Sequence, residues 1–194
     1  EAMREWMYRT HAELPRSLDG HFRYSRGWFE AFIERIFVGR LGLAPEGLPD
    51  VVEALFARFG NPATFTLLPG APELVRDLAG RGLRVGVVSN WSPTLPGLLE
   101  GLGLARDLDF ALVSACEGCE KPEPEIFERA LARAGVPAAA ALHAGDDLAK
   151  DVQGARAVGI LPVLVGRAEL PPDETCARVE DLWALARLIG EMPT

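Results

Sequence analysis

From Pro69 onward the chain alternates short apolar runs with helical stretches, and this alternation constrains its fold more than any other feature. A helix over 71–81 stops at Gly82, and the apolar run over 83–88 ends in Ser89-Asn90. A helix over 95–102 closes at Gly103, and a strand follows over 110–114. The stretch 124–134 is helical and stops at Gly135. A strand over 140–144 then leads into Gly145-Asp146-Asp147, and a helix over 148–158 ends at Gly159. A strand over 160–165 and a helix over 180–189 complete the pattern. Short strands apolar on both faces, separated by helices, predict an α/β fold with a doubly wound parallel sheet. In such a sheet the functional groups collect at the carboxyl ends of the strands.

The first third reads differently. Apolar residues recur at helical spacing over 1–14, over 26–43 (Trp28, Phe29, Phe32, Ile33, Ile36, Phe37) and over 49–59 (Val51, Val52, Leu55, Phe56, Phe59). No segment there reads as a strand. Two domains are therefore expected, a small α-helical unit over 1–66 and an α/β core over 67–194. The pair Pro171-Pro172 reads as a surface loop.

The net charge of −8 argues against a nucleic-acid partner, which requires a basic face to neutralise phosphates. No apolar run approaches the ~20 residues that cross a bilayer, so no membrane association is expected. The start shows no signal-peptide pattern, and three cysteines do not make a disulfide framework. A cytoplasmic monomer or homodimer is the expectation. The acidic balance still allows a small phosphorylated metabolite as partner, because a metal ion and one or two cations reverse a local potential.

Three strand ends carry polar groups suited to such a ligand. Ser89 and Asn90 offer a hydroxyl and backbone N–H groups where a helix begins, although on their own they serve equally well as a turn or N-cap. Lys121 precedes the helix at 124–134 and is one of only two lysines among twenty basic residues, the other being Lys150. Asp146, Asp147 and Asp151 follow the strand at 140–144. Acids there cap a helix, and they also make an oxygen-rich site of the kind Mg²⁺ prefers.

The runs Val87-Val88-Ser89-Asn90, Lys121-Pro122-Glu123-Pro124-Glu125-Ile126-Phe127 and Gly145-Asp146-Asp147-Leu148-Ala149-Lys150-Asp151 resemble, in order and context, the second, third and fourth motifs of the haloacid dehalogenase-like (HAD) superfamily. The helical first third is similar to the cap that this superfamily inserts after its first core strand. The resemblance implies a Rossmann-like core and a phosphatase that works through an aspartyl-phosphate with Mg²⁺ as cofactor. It assigns Ser89 and Lys121 to catalysis, and Ser89, Asn90 and Lys121 to binding the phosphoryl group. Asp146 becomes a metal ligand, and Asp151 either a second ligand or the group that orients Lys121; Asp147 has no fixed role.

The superfamily's first motif, an Asp-x-Asp ending the first strand, has no counterpart here. Asp107-Leu108-Asp109 has the spacing but precedes a strand, and Asp19-Gly20 follows no apolar run. The nucleophile and its partner acid are expected upstream, on roughly 40–50 residues that supply the strand, its motif and a first cap helix. Residues 1–194 alone are then expected to bind phosphate and Mg²⁺ poorly and to turn over little.

Two alternatives stand beside the phosphatase. One is a metal-independent 2-haloacid dehalogenase, for which clustered acids have no use. The other is a non-catalytic binding protein of the same fold, which lacks the nucleophile even at full length. Cys116-x-x-Cys119 has redox or zinc spacing, but Cys176 stands alone and zinc needs four ligands, so the pair is read as incidental. His143 is read as structural. Arg23 and Arg26 are read as surface charges and Trp28 as core, not as substrate contacts.

Overall fold

The computed structural model describes residues 9–11, 13–18, 20–166 and 174–191. The helix expected over 1–14 falls largely outside these residues, as do Asp19 and the loop at 171–172. The first third contains a short antiparallel pair, β1 (Ser17–Leu18) and β2 (His21–Phe22), turned through Gly20 at φ 79°. The sequence pattern predicts no strand here, because two residues are too few to show a period. Gly20 is the only local sign, being the residue that enters a left-handed turn at no steric cost.

Helices α1 (Arg26–Phe37) and α2 (Leu48–Phe59) meet through Phe29, which stands edge-on to Phe56 at 4.9 Å, and Trp28, Ile33 and Ile36 of the first and Val52 of the second are buried. Burying side chains of this size contributes about 1.5–3 kcal/mol each. The first helix ends at Phe37, short of the expected 43. Gly39 and Gly42 follow, with Gly42 at φ 72°, and the chain tightens into turns there.

The α/β pattern is realised in order. Helix α3 (Ala71–Gly80) leads to β3 (Gly86–Ser89), then α4 (Leu95–Gly101), β4 (Phe110–Val113), the single turn α5 (Ser114–Glu117) and α6 (Pro124–Ala134). Strand β5 (Leu142–Gly145) follows, then a π-helical turn (Leu148–Gln153) running into α7 (Gly154–Ala157), β6 (Leu161–Val165), β7 (Ala177–Val179) and α8 (Leu182–Glu191). All pairings in this part are parallel. Strand β3 pairs with β4, from Gly86 opposite Phe110 to Ser89 opposite Val113, and β5, β6 and β7 form a second ladder.

Helices cover both faces, as a doubly wound sheet requires. On one face Ile126 and Phe127 of α6 are fully buried against Val88 of β3 and against Ala155 and Ile160, so one helix spans both ladders. On the other face Leu74 of α3 and Leu185 of α8 close over Val163. The alternation along β5 sorts its side chains accordingly. Leu142 and Ala144 face α3 and α8, whereas His143 meets the Phe127 ring of α6 edge-on at 5.2 Å.

Candidate active site

The loops at the carboxyl ends of β3, β4 and β5 are tied to one another by side chains. Asn90, just after β3, clamps the backbone of Lys121: its Nδ2 donates to the Lys121 carbonyl at 2.9 Å, and its Oδ1 accepts the Lys121 N–H at 2.8 Å. The next residue, Trp91, donates its N–H to the hydroxyl of Ser114, which is fully buried after β4. The position of Lys121 is thus set by a residue thirty-one positions earlier. Neither end of this clamp shows a local sequence period.

Asp151 is the centre of the site. Its side chain is 4 % exposed, and its Oδ1 accepts from Lys121 Nζ at 2.5 Å and from His143 Nε2 at 2.9 Å. Oδ2 accepts the Asp147 N–H at 3.1 Å. The wide π turn makes this possible: the Asp151 and Val152 N–H groups both bond back to the Asp147 carbonyl, which returns Asp151 to the end of β5. Burial pushes the Asp151 carboxyl up, but the hydrogen bonds from His143 and Lys121 outweigh it and hold the group well below the usual carboxylate range. Asp151 is therefore ionised, and the His143 Nε2 facing it is a donor, since a carboxylate only accepts.

The three acids separate into different jobs. Asp147 is the cap of the turn: its Oδ1 accepts the N–H groups of Ala149 and Lys150 at 3.0 and 2.9 Å, and its Oδ2 pairs with Lys150 Nζ at 3.0 Å. Burial pushes its pKa up, and the hydrogen bonds from Lys150 and Ala149 pull it down by more. Asp146 is exposed at the tip of β5 and joins no hydrogen bond or ion pair among the described residues. Ser89 ends β3 in register with Val113 and likewise makes no side-chain bond to the Lys121–Asp151 pair.

The helical third reaches the same loop. Arg23 Nη1 and Arg16 Nε lie 3.6 and 3.5 Å from Oε1 of Glu120, a buried carboxylate next to Lys121, and Arg16 also pairs with Glu123. The charge of Lys150 acts on both His11 and Tyr24. Burial, then Arg23 and Lys150, push the His11 imidazole down to about 4. Tyr24 sits at φ 68°, the one described non-glycine residue in the left-handed region, at a cost of about 1–2 kcal/mol. Arg26 and Trp28 behave as read: Arg26 pairs with Glu30 and Glu53, and buried Trp28 donates Nε1–H to the Pro15 carbonyl at 2.7 Å. Arg23 departs from its reading as a surface charge, because its side chain is 14 % exposed and turned to Glu120. Cys119 packs with Ile126 and Phe127, while Cys116 is exposed. Asp109 receives Arg84 Nη1 and the Val85 N–H at the amino edge of the sheet, away from the site.

Among the described residues no three His, Cys, Asp or Glu side chains converge as a metal cage. An all-protein site is not what Mg²⁺ requires, since it is commonly held by one or two carboxylates with waters and substrate phosphate. Asp146 supplies one free carboxylate that fits this pattern; both oxygens of Asp151 are already engaged.

A family model described as haloacid dehalogenase-like hydrolase matches residues 9–159. The chain is 40 % identical over 147 residues to haloacid dehalogenase-like hydrolase domain-containing protein 3 of Mus musculus, covering 75 % of this chain and 58 % of the mouse protein. It is 35 % identical over 162 residues to a phosphoserine phosphatase of Thermus thermophilus, covering 80 % of this chain and 64 % of that one. The chain thus spans less than two thirds of either relative. A crystal structure described as a dehalogenase superposes with TM-score 0.78 at 21 % identity, covering 98 % of this chain and 84 % of that one, which speaks for the fold alone. No helix among the described residues is long and apolar enough to cross a membrane.

Proposed function

The chain belongs to the haloacid dehalogenase-like hydrolases, and on that premise we propose that the protein hydrolyses a small phosphate monoester with Mg²⁺. The observation that carries this reading is the division of labour between two acids: Asp151 is spent on Lys121, and Asp146 stands free at the tip of β5. Lys121 donates to a phosphoryl oxygen and offsets the negative charge that grows during transfer, with its Nζ aimed by Asp151. Ser89 donates its hydroxyl to a second oxygen from the tip of β3. Asn90 keeps the Lys121 backbone in place through its two-point clamp. Asp146 is the carboxylate that holds Mg²⁺, and Asp151 orients Lys121. When bound, the ion supplies Lewis-acid polarisation of the phosphoryl oxygens.

A metal-free dehalogenase uses the same fold, but an unpaired carboxylate beside its anion would only repel the substrate. The resemblance to a phosphoserine phosphatase supports the phosphate ester over the haloacid.

The test follows 4-nitrophenyl phosphate turnover by the full-length chain against Mg²⁺ concentration, for the wild type and Asp146→Asn. The wild type is expected to show saturable activation, and the variant to need about tenfold more Mg²⁺ or more, since a ligand charge is lost. Wild-type turnover indifferent to a chelator would overturn the metal-dependent reading.

A further inference from the structure

We propose that His143 is a positioning residue of the site, holding Asp151 so that Lys121 can be directed at the phosphoryl group; this rests on the phosphatase reading above. Asp151 Oδ1 accepts two donors, Lys121 Nζ at 2.5 Å and His143 Nε2 at 2.9 Å, and the two stand in different relations to it. Lys121 has a flexible four-carbon stem and a second task at the ligand. His143 has no such freedom. It is rooted in β5, its side chain is 14 % exposed, and its ring stands at 88° to Phe127, which is itself 1 % exposed.

Gly154 secures that arrangement from behind. A Cβ at Gly154 would lie 2.6 Å from Phe127 Cε2 and 3.0 Å from the Pro122 Cα, so the close approach of α7 to α6 depends on the absence of a side chain. The chain of contacts runs Gly154, Phe127, His143, Asp151, Lys121, from the packed core to the reacting end of the sheet. A carboxylate with Lys121 as its only side-chain donor would follow the lysine when it moves to the ligand. With the His143 Nε2–H and the Asp147 N–H also in place, Asp151 stays where it is and the lysine moves against a fixed partner. Removing the hydrogen-bond partner that orients a metal ligand typically costs ~10–100-fold in activity, and a loss on the same scale is expected for the partner that orients Asp151.

The test compares His143→Leu with His143→Gln in the full-length chain. Both lose the imidazole ring that meets Phe127; glutamine alone keeps an N–H donor at the reach of Nε2. On 4-nitrophenyl phosphate with Mg²⁺, kcat is expected to fall about tenfold or more in His143→Leu with KM within about threefold, and to recover to within about threefold in His143→Gln. A second readout needs no turnover: acylation of Lys121 by a water-soluble amine reagent, read by peptide mass spectrometry below the melting temperature. Lys121 is expected to label several-fold faster in His143→Leu than in the wild type, and at the wild-type rate in His143→Gln. Equal kcat loss and equal labelling in both variants would mean that the ring packs and does no more, and would overturn the proposal. A wild type without phosphatase activity, but with this labelling pattern intact, would overturn the function proposed above and leave the role of His143 standing.

Discussion

Replacing Gly145 by alanine puts one methyl group against the Lys121–Asp151 pair. The new Cβ would lie 2.5 Å from Asp151 Cβ and closer still to its carboxyl group, where ordinary carbon contacts are about 3.5–4.0 Å. Asp151 has nowhere to retreat without cost. Its side chain is 4 % exposed, and any shift lengthens the bonds to Lys121, His143 and the Asp147 N–H together. Overpacking a dense site costs ~1–3 kcal/mol. Removing one partner from a buried ion pair costs ~3–5 kcal/mol. The two costs are not additive, because moving Asp151 relieves the first while incurring the second. The expected loss of stability is therefore about 3 kcal/mol, near the overlap of those ranges. Catalysis suffers separately. Misdirecting one charged donor at a transferring group costs about 10²–10³ in kcat. Urea unfolding measures the first effect, with an unchanged m-value as the check that the denatured state is the same. Turnover of 4-nitrophenyl phosphate measures the second. A Gly145→Ala protein with the wild-type midpoint and kcat within about threefold would refute the idea that Asp151 is fixed by crowding at β5.

Two pH effects follow from the same geometry. Asp151 has a folded-state pKa below its unfolded value near 3.9, so its pairing stabilises the fold above that pH and is lost as the pH falls through the folded value. Asp151→Asn should lower the urea midpoint at pH 7 and flatten its decline below about pH 4; a variant with the wild-type acid profile would show that the pairing adds nothing. His11 titrates at about 4 in the fold against 6.5 unfolded, so it stays neutral in the fold while the unfolded chain takes up a proton. Stability from this source is full above pH 6.5 and lost as the pH falls towards 4. His11→Phe keeps a ring among Tyr24, Trp28 and Phe32 and should remove that part of the decline in melting temperature; an unchanged profile would contradict the assignment.

What the sequence discloses, and what it withholds, divides along physical lines. The parallel strands β3 to β6 are legible because each lies in a short, mostly apolar run between helix stops, which leaves few alternatives. β7 is not, since Ala177-Arg178-Val179 carries one large apolar side chain and gains its place from pairing with β6. Lys121 stands out as a rare lysine just before a helix, and the structure places its Nζ against Asp151. The acids are less legible. Asp146 and Asp147 are adjacent and chemically identical, and only the turn geometry makes the second a cap and leaves the first free. His143 looks like core from its strand, because its partner Asp151 is brought back by a π turn that reads in sequence as ordinary helix. Arg23 and Glu120 carry no mutual signal at all; their contact exists only once the helical third lies against the Lys121 loop.

The central claim is that these strand ends form a Mg²⁺-dependent phosphate-ester site. It is tested most directly by measuring phosphate release from an aryl phosphate and halide release from a 2-haloacid on one preparation of the full-length protein, each with Mg²⁺ and with chelator. The account predicts phosphate release that chelation abolishes and Mg²⁺ restores, with no halide release in either condition. Halide release that persists in chelator, without phosphate release, would contradict it.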